Sequence, residues 1–222
     1  MIPVRRLFAA ALVLALVLSL PLRLAMSRTG DVISAQAVEG TIWNGRLVGA
    51  SLAGQSIGDL NARLSFGSLF LGKVRVRLDG PLLHGAVVAS IGGRGGEIMM
   101  LNMPIARSFG PVALSGLEIS DARIRFRDDD CSEADGRVGL QLKTPFGEQR
   151  LSGMVRCNGA GLSAELVSQS AMQRLSLRFP DAGHYQATLA VRASDTQQAT
   201  GLSAAGFRET PIGHVMKFSG AF

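Results

Sequence analysis

The sequence predicts an all-β protein: a single, mostly antiparallel and curved β-sheet domain preceded by one N-terminal transmembrane helix. Three observations carry that reading. An apolar run opens the chain, apolar and polar residues alternate with period two through most of the remainder, and glycines interrupt that alternation at short intervals.

The anchor comes first. Arg5 and Arg6 precede an apolar stretch from Leu7 to Leu22 that only Ser19 and Pro21 interrupt. The run is short for a span of about 20 residues, but Arg23 snorkels and Leu24, Ala25 and Met26 extend the apolar surface. A stretch of this kind is an export signal or a membrane helix. The nearby candidate for cleavage is Ala25-Met26-Ser27, followed by Arg28, which is a poor site. The reading is therefore an uncleaved signal-anchor over residues 1–26 with a short cytoplasmic tail. Residues 27–222 then form one exported β domain, with no low-complexity linker dividing it.

From Val32 the period becomes two. Leu60, Ala62, Leu64 and Phe66 alternate with Asn61, Arg63 and Ser65, and Val74, Val76 and Leu78 alternate with Lys73, Arg75, Arg77 and Asp79. Ile124 and Phe126 alternate with Arg123, Arg125 and Arg127, and Val138, Leu140 and Leu142 with Gly139, Gln141 and Lys143. Residues two apart share one face of a strand, so these segments read as half-buried antiparallel strands. The cluster Gly92-Gly93-Arg94-Gly95-Gly96 reads as a flexible loop, and Asp195 to Ala205 as room for a short helical turn, with Gly201 and Gly206 against it.

Composition narrows the function. The formal charge is +6, but Arg5, Arg6 and Arg23 fall in the first 26 residues, where there is no acid, so the remainder holds 20 basic against 17 acidic groups, or +3. That is not the footprint of a nucleic-acid-binding surface. His84, His184 and His214 stand far apart, without metal-ligand spacing, and no serine elbow or phosphate loop occurs. The expectation is no enzyme, no cofactor and no metal. The acidic run Asp128, Asp129, Asp130, Glu133 and Asp135 reads as a solvated hairpin loop rather than a calcium site. The rows Arg123, Arg125, Arg127 and Lys73, Arg75, Arg77 have two readings: a basic face for acidic lipid headgroups, or solvent-facing charges that keep strand edges from pairing, the latter being favoured.

Cys131 and Cys157 are expected to form a disulfide. Strands at about Leu117 to Arg127, Arg137 to Lys143 and Gln149 to Arg156 make an up, down, up meander, which brings both cysteines to one edge of the sheet. Strands two apart lie about 9 to 10 Å from each other, so the acidic loop carrying Cys131 has to fold across the end of the middle strand. An oxidising compartment closes such a pair.

The single tryptophan lies in Val38-Glu39-Gly40-Thr41-Ile42-Trp43-Asn44-Gly45-Arg46-Leu47. By periodicity two glycines bracket a short strand on which Thr41 and Trp43 share a face, and Trp43 reads as a buried aromatic at a strand bend. The pattern formed by Gly40, Thr41, Trp43 and Gly45, just after an N-terminal anchor, resembles the signature of the type II secretion system protein N family. The segment from Gly58-Asp59-Leu60 through Leu64 to Leu69-Phe70-Leu71-Gly72 is similar to the family's following strand and turn. The glycine-bounded final strand from Ile212 to Phe222 extends the resemblance over nearly the whole chain. It implies a bitopic protein of the bacterial inner membrane with a periplasmic domain, a non-catalytic accessory part of the secretion machine whose partners are the other inner-membrane and periplasmic components. The alternative is a membrane-anchored lipid-binding or lipid-transfer β protein of the envelope, with an apolar trough for acyl chains.

Overall fold

The computed structural model describes Ser19, Pro21, Leu22 and residues 33–52, 54–109, 112–144, 147–181 and 183–221. The anchor assigned to residues 1–26 thus lies outside the described residues apart from those three positions. Among the described residues no helix is long and apolar enough to cross a membrane. The fold is all-β and antiparallel, and its internal contacts group into two compact units, residues 1–87 and 88–222.

In the first unit, β1 (Ile33–Ser34) and β2 (Ala37–Thr41) both pair with β3 (Asn44–Leu52), which pairs with β4 (Gln55–Leu64). A one-turn helix, α1 (Phe66–Leu69), leads to β5 (Lys73–Asp79), the next partner of β4, and β6 (Leu83–Ser90) follows. Leu47, Ile57 and Leu60 are buried from all sides. The register slips between Leu47 and Ala50, where β3 bulges against β4.

The second unit is a meander in which each strand pairs with the next. Its strands are β7 (Gly93–Phe109), β8 (Val112–Arg127), β9 (Asp130–Thr144), β10 (Gly147–Asn158), β11 (Gly161–Ser168), β12 (Gln173–Phe179) and β13 (His184–Val191). After helix α2 (Thr196–Ala204) and β14 (Arg208–Thr210), β15 (Gly213–Ala221) returns to pair with β13 and takes β14 on its other side. The period-two residues build the core. Leu140 stands opposite Leu151, and Leu166, Leu175 and Leu189 face one another across three strands. Burying a leucine contributes about 1.5 to 3 kcal/mol, so this row is the main stabilising feature of the unit. Leu202 of α2 and the following Phe207 join the same cluster.

The helix exists because both of its ends are satisfied. The Asp195 carboxylate accepts the Gln198 N–H at 2.7 Å at the start. At the other end Gly206, at φ +92°, reverses the chain, so that the Phe207 N–H donates to Leu202 O and the Gly206 N–H to Ser203 O. Phe207 and Leu202 are both buried, which completes a Schellman stop. Gly206, weighed against a helix by propensity, is what terminates one.

Three further expectations change. The glycine cluster is not a loop: only Ile91 and Gly92 turn, and Gly93 to Gly96 open β7. A Cβ on Gly95 would stand 2.5 Å from Ile124 O, so the glycine is there for close approach of β8 rather than for flexibility. Phe66 does not continue its strand but starts α1. The acidic run is a hairpin, but a tight one: Asp128 and Asp129, at φ +49° and +69°, are the two turn residues, and Asp130 already belongs to β9. Aspartate tolerates that left-handed backbone, which a two-residue hairpin turn of this hand requires.

Cys131 and Cys157 are bonded, with Cα atoms 5.6 Å apart. The route differs from the one expected. Cys131 lies on strand β9 itself, opposite Phe126, with its N–H donating to Ala160 O at 3.0 Å, and Cys157 lies on the neighbouring β10. The bridge joins adjacent strands, and no loop crosses the sheet end.

Candidate functional site

The residues Gly40, Thr41, Trp43 and Gly45 come together at one hairpin. Gly40 pairs with Gly45 and Thr41 with Asn44, so Ile42 and Trp43 are the two turn residues between β2 and β3. Trp43 is therefore on a turn, not on the strand that its spacing from Thr41 implied. Alternation could not show this, because a two-residue turn preserves the count of apolar positions while reversing the chain.

Each glycine has its own reason to be there. Gly40 adopts φ +80°, and a Cβ on it would stand 2.6 Å from Asn44 O. Gly45 makes room for another segment: the Leu22 side chain occupies the place its Cβ would take, and Thr41 O lies 2.9 Å from that place. Pro21 forms an isolated bridge with Thr41 and Leu22 is buried, so the end of the N-terminal apolar run is stitched to this hairpin. The Thr41 hydroxyl accepts the Asn44 N–H at 3.4 Å and helps to close the turn.

Trp43 is half-buried. Its ring lies on Phe66, centroids 4.5 Å apart, and Phe66 in turn meets Phe70 at 6.1 Å. The segment beneath them is held by its backbone. The Leu64 N–H donates to Ile42 O, the Ser65 N–H to Arg75 O, and the Gly72 N–H to Leu69 O, with Gly72 at φ +66°. The result is a fixed aromatic ladder whose outer end faces water, since Phe70 is 82% exposed and Leu71 75% exposed. Phe66 and Phe70 were not singled out as site residues. Their signal lies in Ser65-Phe-Gly-Ser-Leu-Phe-Leu-Gly72, where large apolar residues crowd together and the strand period stops at Phe66.

Beside the hairpin, Asp59 fastens the β3 bulge. One carboxylate oxygen accepts the Gly49 N–H at 2.9 Å and the other accepts from the Arg46 guanidinium at 2.7 Å. The Gly49 N–H first, and then Arg46, hold this carboxyl below the usual aspartate range. Gly49 sits at φ +60°, the conformation that makes the bulge.

The two basic rows part company. Arg125 is 2.8 Å from Glu133, Arg123 lies within 4.0 Å of both Glu97 and Glu133, and Arg94 reaches Asp129 at 2.9 Å. Arg123 and Arg125 are thus offset by acids on a solvent face, but β8 is paired on both sides, so the row guards no strand edge, contrary to the expectation. On β4 and β5 the arrangement is different: Arg63 and Arg77 stand opposite each other in the ladder, and Lys73 and Arg75 follow on the same face. His84 lies 3.5 Å from Asp79, and His184 is 2.9 Å from Asp181. Among the described residues no group of His, Cys, Asp or Glu is arranged to hold a metal ion.

In the second unit, Val112, Leu142, Leu151, Leu189, Leu202 and Phe207 line a cavity of about 20 Å³. That holds about one water, far below the roughly 300 Å³ at which small-molecule pockets begin.

The family model described as "Type II secretion system (T2SS), protein N" matches residues 31–213. The type II secretion system protein N of Vibrio cholerae serotype O1 (strain ATCC 39315 / El Tor Inaba N16961) is 29% identical over 168 residues, 67% of each chain. No solved structure matches. Since the matched region contains the tryptophan hairpin, the strand behind it and the aromatic turn, the chain belongs to the type II secretion system protein N family.

Proposed function

We propose that this protein is a non-catalytic, accessory structural component of the type II secretion apparatus. Residues 1–26 hold it in the inner membrane as a single-pass anchor, and the β domain over residues 27–222 acts in the periplasm on other components of the machine. Family membership supports the machine. The observation that carries the role is the use made of the motif residues: Gly40 and Gly45 shape a backbone, Thr41 closes a turn, and Trp43 supports an aromatic surface. These are the parts of a contact device.

The test is deletion and complementation. Without the protein, type II substrates should accumulate in the periplasm and their release should fall, and the intact gene should restore it. Normal secretion together with altered envelope lipid content would overturn this reading and favour the lipid-handling one.

A further inference from the structure

We infer that α1 and its turn, Phe66 to Leu71, form a membrane-docking element that seats on an anionic phospholipid surface beside the N-terminal anchor. The inference rests on the reading of residues 1–26 as a membrane segment. Three observations meet at this place.

The first is exposed apolar surface. Phe70 and Leu71 are exposed, Phe66, Leu69 and Val74 are each more than a third exposed, and all five fall within nine residues. Water is a poor solvent for so dense a cluster, and a cluster of this size marks an interaction site. Its backbone is tied at Ser65, Leu71 and Gly72, so the rings are presented by a fixed turn and do not fold back.

The second is charge. Between Asp59 and Asp79 the chain carries no acid, and its Arg63, Lys73 and Arg77 are exposed. Asp59 is paired with Arg46, while Asp79 ends the row on the face that carries Arg77, 3.5 Å from His84. Arg63 opposite Arg77 is a like-charge cross-strand pair, an arrangement that costs stability and is relieved by an anionic surface. The row on β8, by contrast, carries its own acids. Aromatic and leucine side chains at a tip with basic residues behind them match an interface where acyl chains lie below phosphate headgroups.

The third is position. Pro21 bridges Thr41, and Leu22 packs at Gly45, so the end of the apolar run lies against the hairpin whose Trp43 stacks on Phe66. With the apolar run read as the membrane segment, the hairpin that receives its end also holds the aromatic turn, through Trp43 and Phe66.

The test places an environment-sensitive fluorophore on single introduced cysteines of the full chain in vesicles containing phosphatidylglycerol and phosphatidylcholine. Cys131 and Cys157 are bridged, so only the introduced thiol reacts. The positions are Phe70→Cys and Leu71→Cys at the tip, Val13→Cys in the anchor, and Ser56→Cys at the far end of β4, about 25 Å along the strand from Leu64. Nitroxide-labelled lipids should quench the probes at 13, 70 and 71 and leave the one at 56 bright. Phosphatidylcholine alone, or Arg63→Gln with Arg77→Gln, should reduce quenching at 70 and 71 without changing it at 13. Quenching at 13 with none at 70 and 71 would overturn the docking element and leave the patch to a protein partner. No quenching at 13 would overturn the anchor, and this inference with it.

Discussion

Removing the Cys131–Cys157 bridge should weaken the protein while leaving its structure in place. The start of β9 does not depend on the bridge: Cys131 is laddered to Phe126, Asp130 to Arg127, and Glu133 accepts from Arg125 at 2.8 Å. With the native side so held, the change falls on the unfolded chain, which gains the freedom of a loop of 26 residue steps. The chain-entropy relation sets that freedom at about 12 cal/mol/K, or about 3.5 kcal/mol at room temperature. With a urea slope of about 2 kcal/mol/M, the double variant Cys131→Ser, Cys157→Ser should lose about 1.8 M in unfolding midpoint. The assay is equilibrium urea unfolding of the full chain in a nanodisc, followed by far-ultraviolet circular dichroism. The chain's single tryptophan lies in the first unit and its single tyrosine, Tyr185, in the second, so tyrosine emission reports the unit that carries the bridge. A midpoint that moves by less than about 0.5 M, or a native spectrum that changes, would refute the reasoning. In the latter case the bridge would be building the folded state.

Two more outcomes follow from the tryptophan unit. A fully buried tryptophan truncated to alanine costs about 3 to 5 kcal/mol, but Trp43 is half-buried and stacked, so Trp43→Ala should cost about 2 kcal/mol in a circular-dichroism melt, and a loss above 4 would return the ring to the core. The lowered carboxyl of Asp59 contributes stability that is present above the ordinary aspartate value and lost as pH falls through the depressed one. The advantage of the natural chain over Asp59→Asn, read by Trp43 emission in urea, should therefore be full at neutral pH and vanish in strong acid. An advantage that grows on acidification would contradict the clasp.

The strands were legible because the core is one-sided. Val138, Leu140 and Leu142 alternate with polar neighbours for the reason that only one face of β9 is buried, and the same holds for β4, β5 and β8. What alternation cannot carry is where the chain reverses. Trp43 looked like a strand residue, and Asp128 and Asp129 like part of a longer loop, because both hairpins turn in two residues and use side chains that also suit their neighbours. Gly95 and Gly206 show a second blind spot. Glycine signals freedom in a sequence, whereas here one glycine admits a neighbouring carbonyl and the other supplies the left-handed step that ends α2. The motif hairpin was found by resemblance, and its aromatic partners became visible only in space. Phe66 reaches Trp43 from 23 positions away, and the period-two run that ends on it points to a strand, not to this ring contact.

The order of the strands bears on how such a chain is made. Among the described residues nearly every strand pairs with the one just before it; the exceptions are β1, which skips β2 to pair with β3, and β15, which returns to β13 after α2 and β14. A chain delivered N-terminus first, from a ribosome or through a translocation channel, therefore has the template for each new strand already in hand. Nearest-neighbour hairpins close short loops, which keeps contact order low for a β protein and allows growth by accretion. The cost is a growing edge of unpaired backbone at every stage, a hazard that in the second unit lasts until β14 lies against β15.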